Sequence, residues 1–177
     1  LSQRPRISRL FFACWPEPRI RERIAALIPV RGRDAGSPVA FGNIHLTLVF
    51  LGSVGPDQHH CLENMAAEIR GEAFVLSLDE LGYWKRSRIL WLGSSRTPRA
   101  LLDLVAALHA GIRRCGFVPE TRPYAAHVTL ARKTRRRPRQ GTVDCVQWPV
   151  KKFVLVESTT SAAGPRYEVL QCWSLGL

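Results

Sequence analysis

Two short segments half a chain apart repeat the pattern His-x-Thr-Leu: residues 43–50 read N-I-H-L-T-L-V-F, and residues 125–132 read A-A-H-V-T-L-A-R. Side chains alternate across a β-strand, so His45 and Thr47 share one face while Ile44, Leu46 and Leu48 take the other. The same alternation pairs His127 with Thr129 against Val128 and Leu130. A polar pair backed by an apolar face requires a sheet with its core on one side and a wet surface on the other. One such strand alone reads as ordinary structural polarity. Two in a chain of 177 residues, which is one ordinary domain or two small fused lobes, predict two related lobes that each give one strand to a shared site.

Around these strands the chain mixes strands and helices irregularly. Residues 8–15 (SRLFFACW) read as a buried strand, and Pro16-Glu17-Pro18 starts a helix with Ile20, Ile24, Leu27 and Ile28 at helical spacing. Residues 31–38 read as loop, 44–52 (IHLTLVFLG) as a strand and 57–70 as a second helix. Residues 73–83 and 88–93 (RILWLG) read as a hairpin. Residues 98–115 form the best amphipathic helix, with Leu101, Leu104, Val105, Leu108 and Ile112 in one stripe and Gly116 at its stop. An arginine-rich loop over 133–141 precedes two more strands, 152–158 and 167–173. This order predicts an α+β fold rather than a doubly wound parallel sheet.

Charge narrows the partner. Lys and Arg number 26 against 14 Asp and Glu, a net charge of +12, which favours an anionic partner such as nucleic acid or a phosphorylated ligand. No stretch approaches the roughly 20 apolar residues of a membrane helix, and residues 8–15 are too short for a signal peptide. A soluble, cytoplasmic protein without a membrane partner is expected. The five cysteines (Cys14, Cys61, Cys115, Cys145, Cys172) are scattered, with no Cys-x-x-Cys, so reduced, mostly buried thiols are expected and no zinc site. His59-His60-Cys61 does not suggest a metal either, because adjacent helical residues diverge.

Two imidazoles facing one cleft can act as general base and general acid near neutral pH. Two threonine hydroxyls beside them can donate to non-bridging phosphate oxygens. Such a set suits in-line displacement at phosphorus with no metal or other cofactor. His45-Leu-Thr47-Leu and His127-Val-Thr129-Leu resemble the paired signatures of the 2H phosphoesterase superfamily. With residues 10–13 (LFFA), 122–132 (RPYAAHVTLAR), 153–158 (FVLVES) and 164–168 (GPRYE), the chain resembles the bacterial and archaeal RNA 2',3'-cyclic phosphodiesterases, also called 2'-5' RNA ligases.

That resemblance implies a single bilobal domain over residues 1–177, with two similar halves, each an antiparallel sheet with outer helices, around a central groove. It implies a monomer that hydrolyses 2',3'-cyclic phosphate ends of RNA, tRNA fragments among them, to 2'-phosphates, and reversible 2'-5' joining of RNA ends. Carried over by position, His45 protonates the departing 3' oxygen, His127 activates water, and Thr47 and Thr129 hold the phosphate. Arg132 matches a substrate-binding arginine, although strict alternation puts it on the face opposite His127. Other readings are a non-catalytic RNA-binding module and a related phosphodiesterase acting on cyclic nucleotides or 2'-5' oligonucleotides. Phe50, Phe41 and Tyr124 are candidates to stack a base, and His109 reads as structural. The run Arg135-Arg136-Arg137-Pro138-Arg139 is either a solvated loop or a phosphate contact.

Overall fold

The computed structural model describes residues 7–28, 36–135, 140–161 and 164–176. Its strands are β1 (Ser8–Cys14), β2 (Ser37–Pro38), β3 (Leu46–Val54), β4 (Phe74–Trp84), β5 (Ile89–Gly93), β6 (His127–Arg132), β7 (Gly141–Val150), β8 (Lys152–Ser161) and β9 (Gly164–Ser174). The helices are α1 (Pro18–Ala25), α2 (Pro56–Glu68) and α3 (Arg99–Arg114). Every paired strand is antiparallel, and the spatial order is β7-β4-β5-β6-β3-β1-β8-β9, with β2 beside β6. The mixed architecture is therefore as the order of elements predicts, and the antiparallel sheet is as the family resemblance implies.

The ladder is thin at its middle. β3 and β6, the two strands of the repeat, share the single register pair Leu46↔Val128, and β2 adds Ser37↔Arg132 and Pro38↔Ala131. On one side of this seam lie β3, β1, β8 and β9; on the other lie β6, β5, β4 and β7. Between β2 and β3 the chain leaves the ladder for a 3-10 turn at Phe41–Asn43.

One face of the sheet carries the core. Leu10, Phe12, Leu46, Leu78, Leu92, Val128 and Phe153 cluster there with Ile24 of α1, Leu62 of α2 and the α3 stripe Leu101, Leu104, Val105, Leu108 and Ile112. The opposite, open face carries a smaller cluster of Phe11, Ala13, Val154 and Val156, against which Trp15 and Tyr167 pack. The predicted α3 stripe is thus the buried one, and Gly116 takes the left-handed φ of 83° after the helix that suits glycine.

Three sequence expectations need correction. Residues 141–150 form a strand, β7, inside what reads as loop and its sequel: Val146, Trp148 and Val150 alternate inward, and Pro149 is tolerated because β7 is an edge strand. The strand of the first motif starts at Leu46 and not Ile44, leaving His45 just ahead of it. Cys61 and Cys115 are joined as a disulfide with a Cα–Cα distance of 5.7 Å, not reduced thiols. The helices approach closely enough for this because Gly111 has no side chain: a Cβ there would lie 2.3 Å from Met65 Sδ. Of the free cysteines Cys14 is buried, Cys145 half-buried and Cys172 exposed.

Candidate active site

The two His-x-Thr segments reach the open face from opposite sides of the seam. Leu46, Leu48, Val128 and Leu130 are buried in the core, while His45, Thr47, His127 and Thr129 are half-buried on the other side. Each histidine is anchored in the same way. His45 Nδ1 lies 2.6 Å from the Asn43 carbonyl and His127 Nδ1 lies 2.8 Å from the Ala125 carbonyl. A carbonyl can only accept, so Nδ1 carries the proton in both rings and Nε2 keeps its lone pair. At His45 that lone pair accepts from the Thr47 hydroxyl at 3.0 Å.

Arg132 joins them through a bulge. On β6, Trp91 of β5 pairs with Thr129 and Leu90 pairs with Ala131, so Leu130 is the extra residue. Leu130 and Ala131 both turn inward and are fully buried, which returns the exposed Arg132 to the face of His127. Its guanidinium lowers the pKa of both His45 and His127 by its charge. The obstacle that strict alternation raised against Arg132 is removed by this one-residue bulge. β3 contains the same device: Phe12 pairs with Val49 and Ala13 with Thr47, leaving Leu48 extra. Leu48 and Val49 are both buried, and Phe50 emerges at 70% exposure. Phe50 in the first half therefore occupies the position of Arg132 in the second.

The two imidazoles sit in unequal surroundings. His45 is packed by Phe11 and Tyr167 at centroid distances of 5.0 and 5.2 Å and stacked by Trp15 at 5.5 Å. Burial beneath these rings holds its pKa down at about 4, Arg132 and His127 push it the same way, and the bond to Asn43 opposes them. His127 meets the Trp84 ring edge to face at 4.5 Å, and its pKa is also lowered, first by burial. Both are neutral bases in the free protein at neutral pH.

Sequence reasoning missed the residues that hold these groups. Asn43 contributes its carbonyl to His45 and donates its side-chain amide to the Pro165 carbonyl at 2.7 Å, tying the first motif to the β8–β9 hairpin. Trp15, Tyr167 and Trp84 wall the rings. The only signal for them is the aromatic content of the flanking strands, which does not reveal a face.

The remaining candidates separate. Tyr124 donates its hydroxyl to the Thr47 carbonyl at 2.9 Å, so it braces the first motif and does not offer a free ring. Phe41 is 48% exposed and lies under the Arg21 guanidinium, which also faces Trp15. His59 faces Glu63 at 3.7 Å, and His60 lines a surface cavity with Cys61 near α3, away from the motifs. Among the described residues no three of His, Cys, Asp and Glu gather where a metal could bind, and no helix is long and apolar enough to cross a membrane. His109 lies half-buried on α3. Arg135 is exposed, and 136–139 lie outside the described residues.

Chemically, the arrangement offers two Nε2 atoms of fixed tautomer, two hydroxyls and a guanidinium on one open face. Comparisons with known proteins place the chain in a family. The model of the 2'-5' RNA ligase superfamily matches residues 16–161. The RNA 2',3'-cyclic phosphodiesterase of Escherichia coli K12 is 38% identical, over 94% of this chain and 96% of that protein. The protein of the same name from Thermus thermophilus is 30% identical over 94% and 90%. The crystal structure of E. coli LigT in apo form superposes with a TM-score of 0.88 at 35% identity, covering 97% of this chain and 99% of that one. The same protein complexed with 3'-AMP gives 0.87 at 36% identity, with 96% and 99% covered.

Proposed function

The chain belongs to the 2'-5' RNA ligase superfamily, and from that premise we propose that it hydrolyses the 2',3'-cyclic phosphate ends of RNA to 2'-phosphates. The observation that carries this reading is the pair of Nδ1-anchored histidines, His45 and His127, each of which keeps an Nε2 lone pair for proton exchange on one open face.

The cyclic phosphate lies between the motifs. The hydroxyls of Thr47 and Thr129 and the Arg132 guanidinium hold its non-bridging oxygens; Thr47 leaves His45 Nε2 to do so. His127 Nε2 takes a proton from water as the water oxygen bonds to phosphorus. The bond from phosphorus to the 3' oxygen breaks in line with that attack, and protonated His45 Nε2 gives its proton to the departing oxygen. A 3'-hydroxyl and a 2'-phosphate result. In the free protein burial disfavours the charged form of His45, so the proton is held once the substrate's negative charge stands beside the ring. With a 5'-hydroxyl of a second RNA in place of water, the same step makes a 2'-5' linkage and is reversible.

The two histidines supply both proton transfers, and the charge on the phosphorane is met by Arg132 and the hydroxyls, so the reaction needs no metal or other cofactor. The protein acts as a monomer in the cytoplasm on RNA ends, tRNA fragments included. Phe50, exposed beside Phe11 at 6.1 Å, is the ring available to stack the terminal base; stacking of this kind contributes about 1–3 kcal/mol per base.

The test is to incubate the pure protein, in excess chelator, with RNA bearing a 2',3'-cyclic phosphate and to identify the product end. The expected product is a 2'-phosphate. Binding without turnover would leave an RNA-binding module, and turnover only after a divalent ion is restored would remove the metal-free scheme.

A further inference from the structure

A run of exposed cations lies beside His127. β4 and β5 pair up to Trp84↔Ile89, and the turn between them, Lys85-Arg86-Ser87-Arg88, is exposed throughout. Arg132, Lys133 and Arg135 of the β6 end are exposed as well. Among the described residues none of these six cations forms an ion pair with a carboxylate.

The turn and the β6 end are one braced unit. The Arg88 carbonyl accepts from the Thr134 amide at 3.2 Å and from its hydroxyl at 3.1 Å, and Thr134 is 1% exposed. Arg88 and Lys133 both take left-handed φ values, 54° and 56°, which are uncommon outside glycine and asparagine. The root of the turn is Trp84, whose ring reaches His127 and, at 5.5 Å, Trp91. Trp91 lies flat on the strands because Gly82 and Gly93 have no side chains: a Cβ at Gly82 would fall 2.0 Å from its ring. Indole surface therefore leads from the second histidine straight to a fixed row of unpaired cations. On the other side of the seam His45 is walled by rings.

Cations that track a backbone, interleaved with aromatic rings, are what single-stranded nucleic acid binds. We propose that Trp84 and the turn Lys85-Arg86-Ser87-Arg88 form a docking surface for the RNA chain that runs 5' from the reacting terminal nucleotide, with phosphates on the cations and a base against Trp84. This rests on the reading of the histidine pair as an RNA-end hydrolase and adds to it: the surface makes the enzyme prefer an oligonucleotide to a mononucleotide.

The experiment replaces Lys85 and Arg86 by Ser and Arg88 by Asn, a residue that accepts its φ. Two substrates are compared, adenosine 2',3'-cyclic phosphate and a short oligoadenylate ending in the same group. The unmodified protein is expected to favour the oligonucleotide. The triple variant is expected to lose about tenfold or more in kcat/KM for the oligonucleotide through KM, with the mononucleotide within about twofold, which also shows that it is folded. Its salt dependence of oligonucleotide binding should fall by roughly 2 in log–log slope, about 0.7 for each single-strand phosphate that the variant no longer neutralises. An equal fall for both substrates, or an undiminished oligonucleotide preference, would overturn the surface. Binding of a 2'-phosphate-ended oligoadenylate, read by fluorescence anisotropy, needs no turnover. If neither substrate is hydrolysed, the hydrolase reading fails, while loss of that binding in the variant would still support the surface.

Discussion

Both imidazoles present an unprotonated Nε2, so either can begin as a base, and role has to come from what each ring faces. The proposed scheme makes His45 the acid toward the leaving oxygen. His45→Ala and His127→Ala should each cost about 10²- to 10⁴-fold in turnover, the usual size of one general acid or base contribution. With a nitrophenyl phosphodiester, whose leaving group needs no proton, His45→Ala should recover most of its rate and His127→Ala should not. Recovery in His127→Ala instead would exchange the roles. The buried ring also links folding to pH. The pKa of His45 is about 4 in the folded protein, against an ordinary value of 6.5, so between these values the unfolded chain binds more protons and stability rises with pH. The contribution is fully present above pH 6.5 and is lost as pH falls toward 4, a difference of about 3 kcal/mol. Urea unfolding across that range should show the slope, and His45→Phe should flatten it. Bound phosphate raises both pKa values, so the bell in kcat should lie at higher pH than the bell in kcat/KM.

Each motif strand contains a bulge, at Leu48–Val49 and at Leu130–Ala131, and each bulge turns the residue after it outward. That pattern was present in the sequence as two adjacent apolar residues closing an alternating run, yet an apolar pair fits regular strand and bulge equally well. Hence the His-x-Thr faces were legible and the side of Arg132 was not. β7 was obscured by Pro149 and the arginines before it, because only the neighbours of a strand reveal that it lies on an edge. The Cys61–Cys115 contact depends on how α2 meets α3 at Gly111, and no local pattern encodes that. Two substitutions test the supporting elements. Gly82→Ala places a methyl in the Trp91 ring; it should destabilise the fold by about 1–3 kcal/mol and, by shifting Trp84 against His127, lower turnover. Differential scanning calorimetry should register a fall of several degrees. Asn43→Ala removes the tie to the Pro165 carbonyl and should lower kcat several-fold with KM little changed, moving the pH limb that belongs to His45. A change in KM alone would assign Asn43 to substrate binding.

On the scale of the whole molecule, the second half of the sheet is a continuous stretch of chain, β4 through β7, set between the β1–β3 and β8–β9 segments of the first. The proposed site spans the seam where β3 and β6 share one register pair, so the groups proposed to hold the phosphate belong to two well-bonded halves of one sheet with little backbone bonding between them. Amide exchange should therefore be faster at the Leu46↔Val128 pair than within β4 and β7 or within β8 and β9; equal protection across the sheet would argue against a distinct seam. The same connectivity has a consequence for how the protein is made. A ribosome delivers His45 early, but Pro165, which anchors Asn43, and Tyr167, which covers the His45 ring, emerge more than 100 residues afterwards. The second histidine can find Trp84 and the Ala125 carbonyl while the chain is still growing, whereas the first lacks Tyr167, and Asn43 lacks Pro165, until β9 has left the exit tunnel. The assembled pair therefore arrives only with β9, and a nascent chain stalled before β9 holds both histidines without it.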